Sequence, residues 1–180
     1  MTHGIMEVRV MNEQNKNLVR SASGADAVDN GNIVILTAGS ATSEVWAATK
    51  PASGTIARGS VTKPYLVYTD EVSTLVDGTL VYRGLSPRPG DIYAPALSTY
   101  RVIEPEVGNI IVLTADCMSN SRTAETFIVA QNADYKWAWS STVASGLSAK
   151  LVEVTYLPVP DGSMGLGRVT AYKFEIVALA

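Results

Sequence analysis

Short runs rich in Val, Ile, Tyr and Thr recur along the whole chain, separated by clusters of Gly, Pro, Asn, Asp and Ser. This is the pattern of strands and turns. The runs cover residues 5–10, 33–37, 44–49, 65–69, 79–83, 100–104, 110–115, 125–131, 135–140, 150–157 and 168–179. No apolar stripe of helical period accompanies them, and only 124–142 is also compatible with a short helix. Alternation in the first run puts Met6, Val8 and Val10 on one face and Glu7 and Arg9 on the other. Trp137 and Trp139, two residues apart, share a face if 135–140 is a strand. Turn chemistry is explicit at 50–54, Asp77-Gly78, 86–90, 132–134 and 158–163.

Residues 12–30 break this rhythm. They are mostly polar or small, with Leu18 and Val19 among the few apolar interruptions, and read as an extended arm or a long loop. Loops of that length in compact domains usually have a task. The expected organisation is all-β: an N-terminal arm over 1–30, then a single barrel-like or sandwich domain of about ten short strands over 31–180.

One segment is nearly restated. Residues 31–38 read Gly-Asn-Ile-Val-Ile-Leu-Thr-Ala, and 108–115 read Gly-Asn-Ile-Ile-Val-Leu-Thr-Ala. A duplicated unit, two equivalent strands of one barrel, or the small vocabulary of turn-plus-strand sequences would each produce this. Nothing on either side of the match repeats, which favours the last.

Composition narrows the chemistry. The 180 residues are 47% hydrophobic and 17% charged, with a formal net charge of -3. So apolar a sequence is expected to fold, and its slight acidity argues against a dedicated nucleic-acid binder. No apolar run is long enough for a membrane helix, and the N-terminal residues lack the pattern of a signal peptide. The single Cys117 forms no internal disulfide, and His3 is the only imidazole. There is no paired-His or paired-Cys metal motif, no Gly-x-Ser-x-Gly elbow and no phosphate loop. The three glycines of 162–167 lack a following Lys-Ser or Lys-Thr and read as a flexible connection. Asp70-Glu71 and the Glu104/Glu106 pair are adjacent acidic groups better explained as solvated strand ends than as a catalytic pair. Neither a cofactor nor a metal, nor an enzyme activity, is expected. Trp137 and Trp139, with Tyr135 and Tyr100, would suit a sugar-stacking platform, but core or interface anchoring is the commoner use of such residues.

Four segments together resemble a known family. Residues 29–36 (Asp-Asn-Gly-Asn-Ile-Val-Ile-Leu) are followed by 43–51 (Ser-Glu-Val-Trp-Ala-Ala-Thr-Lys-Pro), then by 89–93 (Pro-Gly-Asp-Ile-Tyr) and a closing run at 167–177. This order is similar to that of the capsid decoration, or cement, proteins of tailed bacteriophages with HK97-type heads; residues 124–148 have no counterpart in it. The resemblance implies a non-enzymatic virion protein, made in the host cytoplasm, that binds the outer surface of the assembled head. Its implied partners are the major capsid protein and further copies of itself, with a trimer favoured. The polar N-terminal segment would suit β-addition to a capsid subunit. Candidate partner contacts are Val8, Val10, Leu18, Val19, Trp137 and Trp139. The alternatives are a tail-tube or head-tail connector protein, or a carbohydrate-binding β-sandwich.

Overall fold

The computed structural model describes residues 3–10, 19–37, 44–52, 63–69, 72–77, 80–85, 93–144, 146–160 and 166–179. They form fifteen strands: β1 (Met6–Val10), β2 (Val19–Gly24), β3 (Val28–Asp29), β4 (Ile33–Thr37), β5 (Val45–Thr49), β6 (Pro64–Val67), β7 (Val72–Asp77), β8 (Leu80–Leu85), β9 (Tyr93–Ala94), β10 (Thr99–Ile103), β11 (Ile110–Thr114), β12 (Phe127–Ala130), β13 (Trp137–Ser140), β14 (Ser148–Pro160) and β15 (Leu166–Ala178). The protein is all-β, as the pattern predicts. A 3-10 turn at Ala115–Cys117 is the one helical element among the described residues, and 124–142 holds β12 and β13 in place of a helix. Four strands are absent from the sequence pattern: β2, β3, β7 and β9.

Five strands close into a barrel in the order β10-β2-β5-β4-β6, and six form a sheet in the order β1-β11-β15-β14-β12-β13. Strands β3 and β9 pair with each other, as do β7 and β8. The barrel and the sheet share a core, and β4 explains how. Its apolar run Ile33-Val34-Ile35-Leu36 is buried throughout. Side chains alternate across a strand, so Val34 and Leu36 fill the barrel with Tyr65, Val67, Tyr100 and Val102. Ile33 and Ile35 point the other way and join Leu66, Ile103, Leu113, Trp137 and Phe174 between barrel and sheet. A wall buried on both faces needs apolar residues at every position, hence a run without alternation.

The expected arm is corrected in its second half. Strand β2 pairs with β10 on one side and in parallel with β5 on the other, so it is a barrel stave. Its sequence Val-Arg-Ser-Ala-Ser-Gly hides this, because the barrel admits only small side chains there. Ala22 is fully buried, and a Cβ on Gly24 would lie 3.0 Å from the Ala48 carbonyl oxygen and 3.2 Å from Tyr100 Oη. The first strand, β1, is likewise built into the sheet beside β11. The boundary drawn at residue 30 therefore falls inside packed structure.

The near-repeat is structural. In both copies a tight turn precedes the strand, with Gly31 at φ 85° and Gly108 at φ 89°, the left-handed third position of a type II turn. Asn32 N–H donates to the Asp29 carbonyl (3.1 Å), and Asn109 N–H to that of Glu106 (3.0 Å). The asparagine side chain answers in each case: Oδ1 of Asn32 accepts from Asp29 N–H (2.9 Å), and Oδ1 of Asn109 from Glu106 N–H (2.7 Å). The neighbouring strand is held identically. Gly31 and Asn32 exchange backbone bonds with Val67, and Gly108 and Asn109 do so with Ile176, all at 2.9 Å. The two copies are the same local turn-and-strand unit, as a small vocabulary of turn-plus-strand sequences would give, and they are not two strands of one barrel. They lie in different sheets, β4 in the barrel and β11 in the six-stranded sheet.

Candidate functional site

The first of these turns, 29–33, is the joint of the molecule. Asp29 holds the N-terminal segment, with Oδ1 2.7 Å from His3 Nδ1 and Oδ2 accepting from Gly4 N–H at 3.2 Å. The His3 ring stacks on Tyr93 at 4.4 Å. Asn30 clamps Thr69, whose N–H donates to Oδ1 (2.6 Å) and whose carbonyl accepts from Nδ2 (3.4 Å). The Gly31 carbonyl accepts the Trp137 indole N–H at 2.9 Å, and Ile33 N–H donates to the Tyr135 carbonyl at 2.7 Å. The only imidazole and the signature Gly-Asn corner thus serve cohesion.

Cys117 belongs to the same joint. It is fully buried, and its Sγ lies 3.5 Å from the Asn30 carbonyl oxygen and 3.6 Å from that of Ile5. Burial pushes the thiol up from its ordinary 9.0 to about 12. Burial also pushes the Tyr100 phenol from 10.0 to about 12. Both groups keep protons in the native state that the unfolded protein gives up. The contribution of these two groups to stability is therefore expected to be constant below about pH 8.5 and to fall as pH rises toward about 12. Denaturant midpoints measured across that range check this, and Cys117→Ala should remove the part of the decline that begins near the unfolded thiol's pKa.

Trp137 and Trp139 do lie on one face, but it is the inner one. They are 0% and 6% exposed, packed with Phe174 and Ile128 in the shared core. Tyr172 meets Trp139 edge-on at 5.1 Å, and the Arg122 guanidinium covers its ring at 5.5 Å. Their assignment as partner contacts is corrected, and neither ring offers a face to a sugar. Residues 124–148 instead help join sheet to barrel. Besides Trp137 and Tyr135, Ala133 N–H donates to the Pro51 carbonyl at 2.8 Å, and Tyr135 Oη donates to Asp26 at 3.1 Å. Val8 is half-buried against the core, whereas Val10 and Val19 are about half exposed at strand ends, with Val10 51% and Val19 47% accessible. Leu18, Asp70-Glu71 and 161–165 lie outside the described residues.

The strongest candidate for an external contact is a feature the sequence pattern understated. β14 and β15 pair over almost their whole lengths, from Ser148↔Ala178 to Pro160↔Leu166. Strand β11 supports β15 only over Ala171–Glu175, and β12 supports β14 only over Ser148–Lys150. Past Tyr156↔Thr170, no other strand among the described residues pairs with this ribbon, which runs on for about 13 Å at roughly 3.3 Å per residue. Pro158 and Pro160 sit in this part, where an absent N–H is tolerated, so the expected loop at 158–163 begins as strand. Val154 pairs with Tyr172, a residue packed on the core, yet Val154 and the following Tyr156 are exposed, Tyr156 by 58%. They continue the core-facing side of the sheet beyond the core. A second apolar projection is Leu97, 79% exposed and held at φ 62°, a conformation unfavourable for a bulky residue.

Two hollows lie among the described residues. One, of about 350 Å³, is lined by Ser119, Asn120, Arg122, Trp139 and Tyr172. Its polar groups are largely committed within the protein: Asn120 bridges both backbone atoms of Trp139, and Arg122 Nε–H donates to the Glu125 carbonyl. The other, of about 450 Å³, lies beside Tyr135. There Lys50 Nζ is 3.3 Å from Asp26 and 5.2 Å above the Tyr135 ring. Burial, and then the hydrogen bond to Asp26, push the Tyr135 phenol upward. Among the described residues no three His, Cys, Asp or Glu side chains gather as a metal site, and no helix is long and apolar enough to cross a membrane. Neither the scan against family models nor the searches of curated proteins and solved structures returned a match.

Proposed function

We propose that this protein is a non-enzymatic structural component of a tailed-bacteriophage virion, a decoration protein that binds the outer surface of an HK97-type head and stabilises it. The observation that carries the reading is the β14–β15 ribbon. It projects apolar side chains from a sheet whose own core ends beneath it, and it has unpaired strand edges among the described residues. Natural proteins cover or blunt such edges, and a partner strand or surface does both. Pro158 and Pro160 remove two donors from β14, so β15 is the better edge for strand addition. The joint at 29–33 supports the reading in a second way, since it spends the imidazole, the thiol and the Trp137 indole on cohesion. The partners proposed are the major capsid protein and further copies of the same protein, as a trimer.

The test is co-sedimentation with expanded and unexpanded HK97-type capsids. The intact protein is expected to bind saturably, and Val154→Ser/Tyr156→Ser to bind at least about tenfold more weakly with an unchanged unfolding midpoint, because both residues are exposed. No saturable binding of the intact protein to either form would overturn the reading. Equal binding by the double variant would remove the ribbon from it. Deleting 1–30 is unsuitable for probing the N-terminal segment, since it removes β1, β2 and β3 and opens barrel and sheet together. Val10→Ser with Val19→Ser examines that surface without dismantling the fold.

A further inference from the structure

The joint contains a reactive dipeptide. Asn30-Gly31 is the only Asn-Gly pair in the sequence. In an unfolded polypeptide such a pair deamidates readily, because glycine leaves its N–H unshielded and its backbone free to turn. The Gly31 nitrogen attacks Asn30 Cγ, the bond from Cγ to Nδ2 breaks, and ammonia leaves. Water then opens the resulting cyclic imide. Attack of water at Cγ breaks the new bond from Cγ to the Gly31 nitrogen and gives aspartate with the original peptide bond kept, whereas attack at the backbone carbonyl breaks that peptide bond and leaves the isoaspartyl linkage through Cγ.

Every group in that reaction is engaged in the folded protein. Asn30 is buried, with Oδ1 accepting from Thr69 N–H at 2.6 Å and Nδ2 donating to the Thr69 carbonyl at 3.4 Å. The would-be nucleophile, Gly31 N, donates its proton to the Val67 carbonyl at 2.9 Å. Gly31 itself is wedged against Leu113, Cys117 and Met6. Attack requires the Asn30 amide to leave Thr69 while Gly31 leaves Val67, which means opening the turn.

The equivalent turn isolates why asparagine is there. Its corresponding residue is Val107, 61% exposed. The turn itself tolerates a residue with no polar group, so Asn30 serves the clamp on Thr69 and not the turn geometry. We propose that Asn30-Gly31 is a latent deamidation site held shut by the contacts to Thr69 and Val67, and that its modification makes opening of the joint irreversible. The aspartate product still accepts from Thr69 N–H but has no proton for the Thr69 carbonyl, and it carries a charge into a buried position. The isoaspartyl product lengthens the turn backbone by one carbon. Neither restores the clamp.

Peptide mapping by mass spectrometry tests this on the full-length protein at mildly alkaline pH, native and in guanidinium, with a synthetic peptide of residues 26–36 as reference. The unfolded protein is expected to gain one mass unit at Asn30 at the peptide's rate. The native protein should do so at least about tenfold more slowly, the reaction being gated by local opening. On dilution from guanidinium, unmodified molecules should regain near-UV circular dichroism while molecules modified at Asn30 remain unfolded. Native modification at the peptide's rate, or an unreactive unfolded protein, would overturn the latent site. Full refolding of modified molecules, or an Asn30→Asp variant as stable as the parent, would overturn its irreversibility.

Discussion

Replacing Gly31 by alanine is expected to destabilise the protein by about 2–4 kcal/mol, and replacing Gly108 by only about 1 kcal/mol. The two glycines have nearly the same φ and the same turn bonds, so the left-handed penalty is common to both. Their surroundings differ. A Cβ on Gly31 would lie 2.7 Å from Leu113 Cδ2, 3.2 Å from Cys117 Sγ and 3.3 Å from Met6 Cβ, whereas one on Gly108 would meet nothing within 4 Å. Leu113 and Cys117 are themselves fully buried, so relief has to come from shifting the core. Denaturant unfolding of the two variants measures the difference directly. Equal losses would mean that the joint is looser than the structure has it.

The second large effect is expected at Trp137. Substitution by alanine should cost about 3–5 kcal/mol, the range for emptying a large aromatic site in a core. Trp137→Phe separates packing from polarity: it keeps much of the volume but leaves the Gly31 carbonyl without its indole donor, for a loss of roughly 2 kcal/mol. Trp139→Phe is expected to lose less, about 1 kcal/mol, because its contacts to Tyr172 and Phe174 are between aromatic rings. Thermal unfolding by circular dichroism gives the order. Trp139→Phe proving worse than Trp137→Phe would contradict the role given to the indole N–H.

Legibility in the sequence follows local chemistry. Strands such as β4, β6 and β11 announce themselves because β-branched residues and flanking turns act within a few positions. Strand β2 does not, since its place between two barrel neighbours is specified by the smallness of Ala22 and Gly24, which a hydrophobic pattern cannot register. The length of the ribbon is hidden as well. Pro158 and Pro160 read as a loop when the prolines are judged alone, but a two-stranded ribbon has an outer side where no N–H is required.

The candidate contacts divide in the same way. The period of two correctly puts Trp137 and Trp139 on one face, but periodicity assigns faces without saying which of them meets solvent. The exposed apolar positions that matter, Val154, Tyr156 and Leu97, are ordinary residues in sequence. They stand out only because the core ends beneath the ribbon and because Leu97 adopts a left-handed backbone.

By itself the sequence determined the all-β class, most of the strands and both Gly-Asn corners, for these depend on side-chain alternation and on a backbone conformation that glycine adopts without strain. Tertiary structure alone decided what each corner became. The same turn with the same bonds is a buried joint at 29–32 and an exposed bend at 106–109. The turn's own hydrogen bonds are satisfied equally in both places, so only the long-range packing of Trp137, Cys117 and Leu113 around one of them tells the two apart.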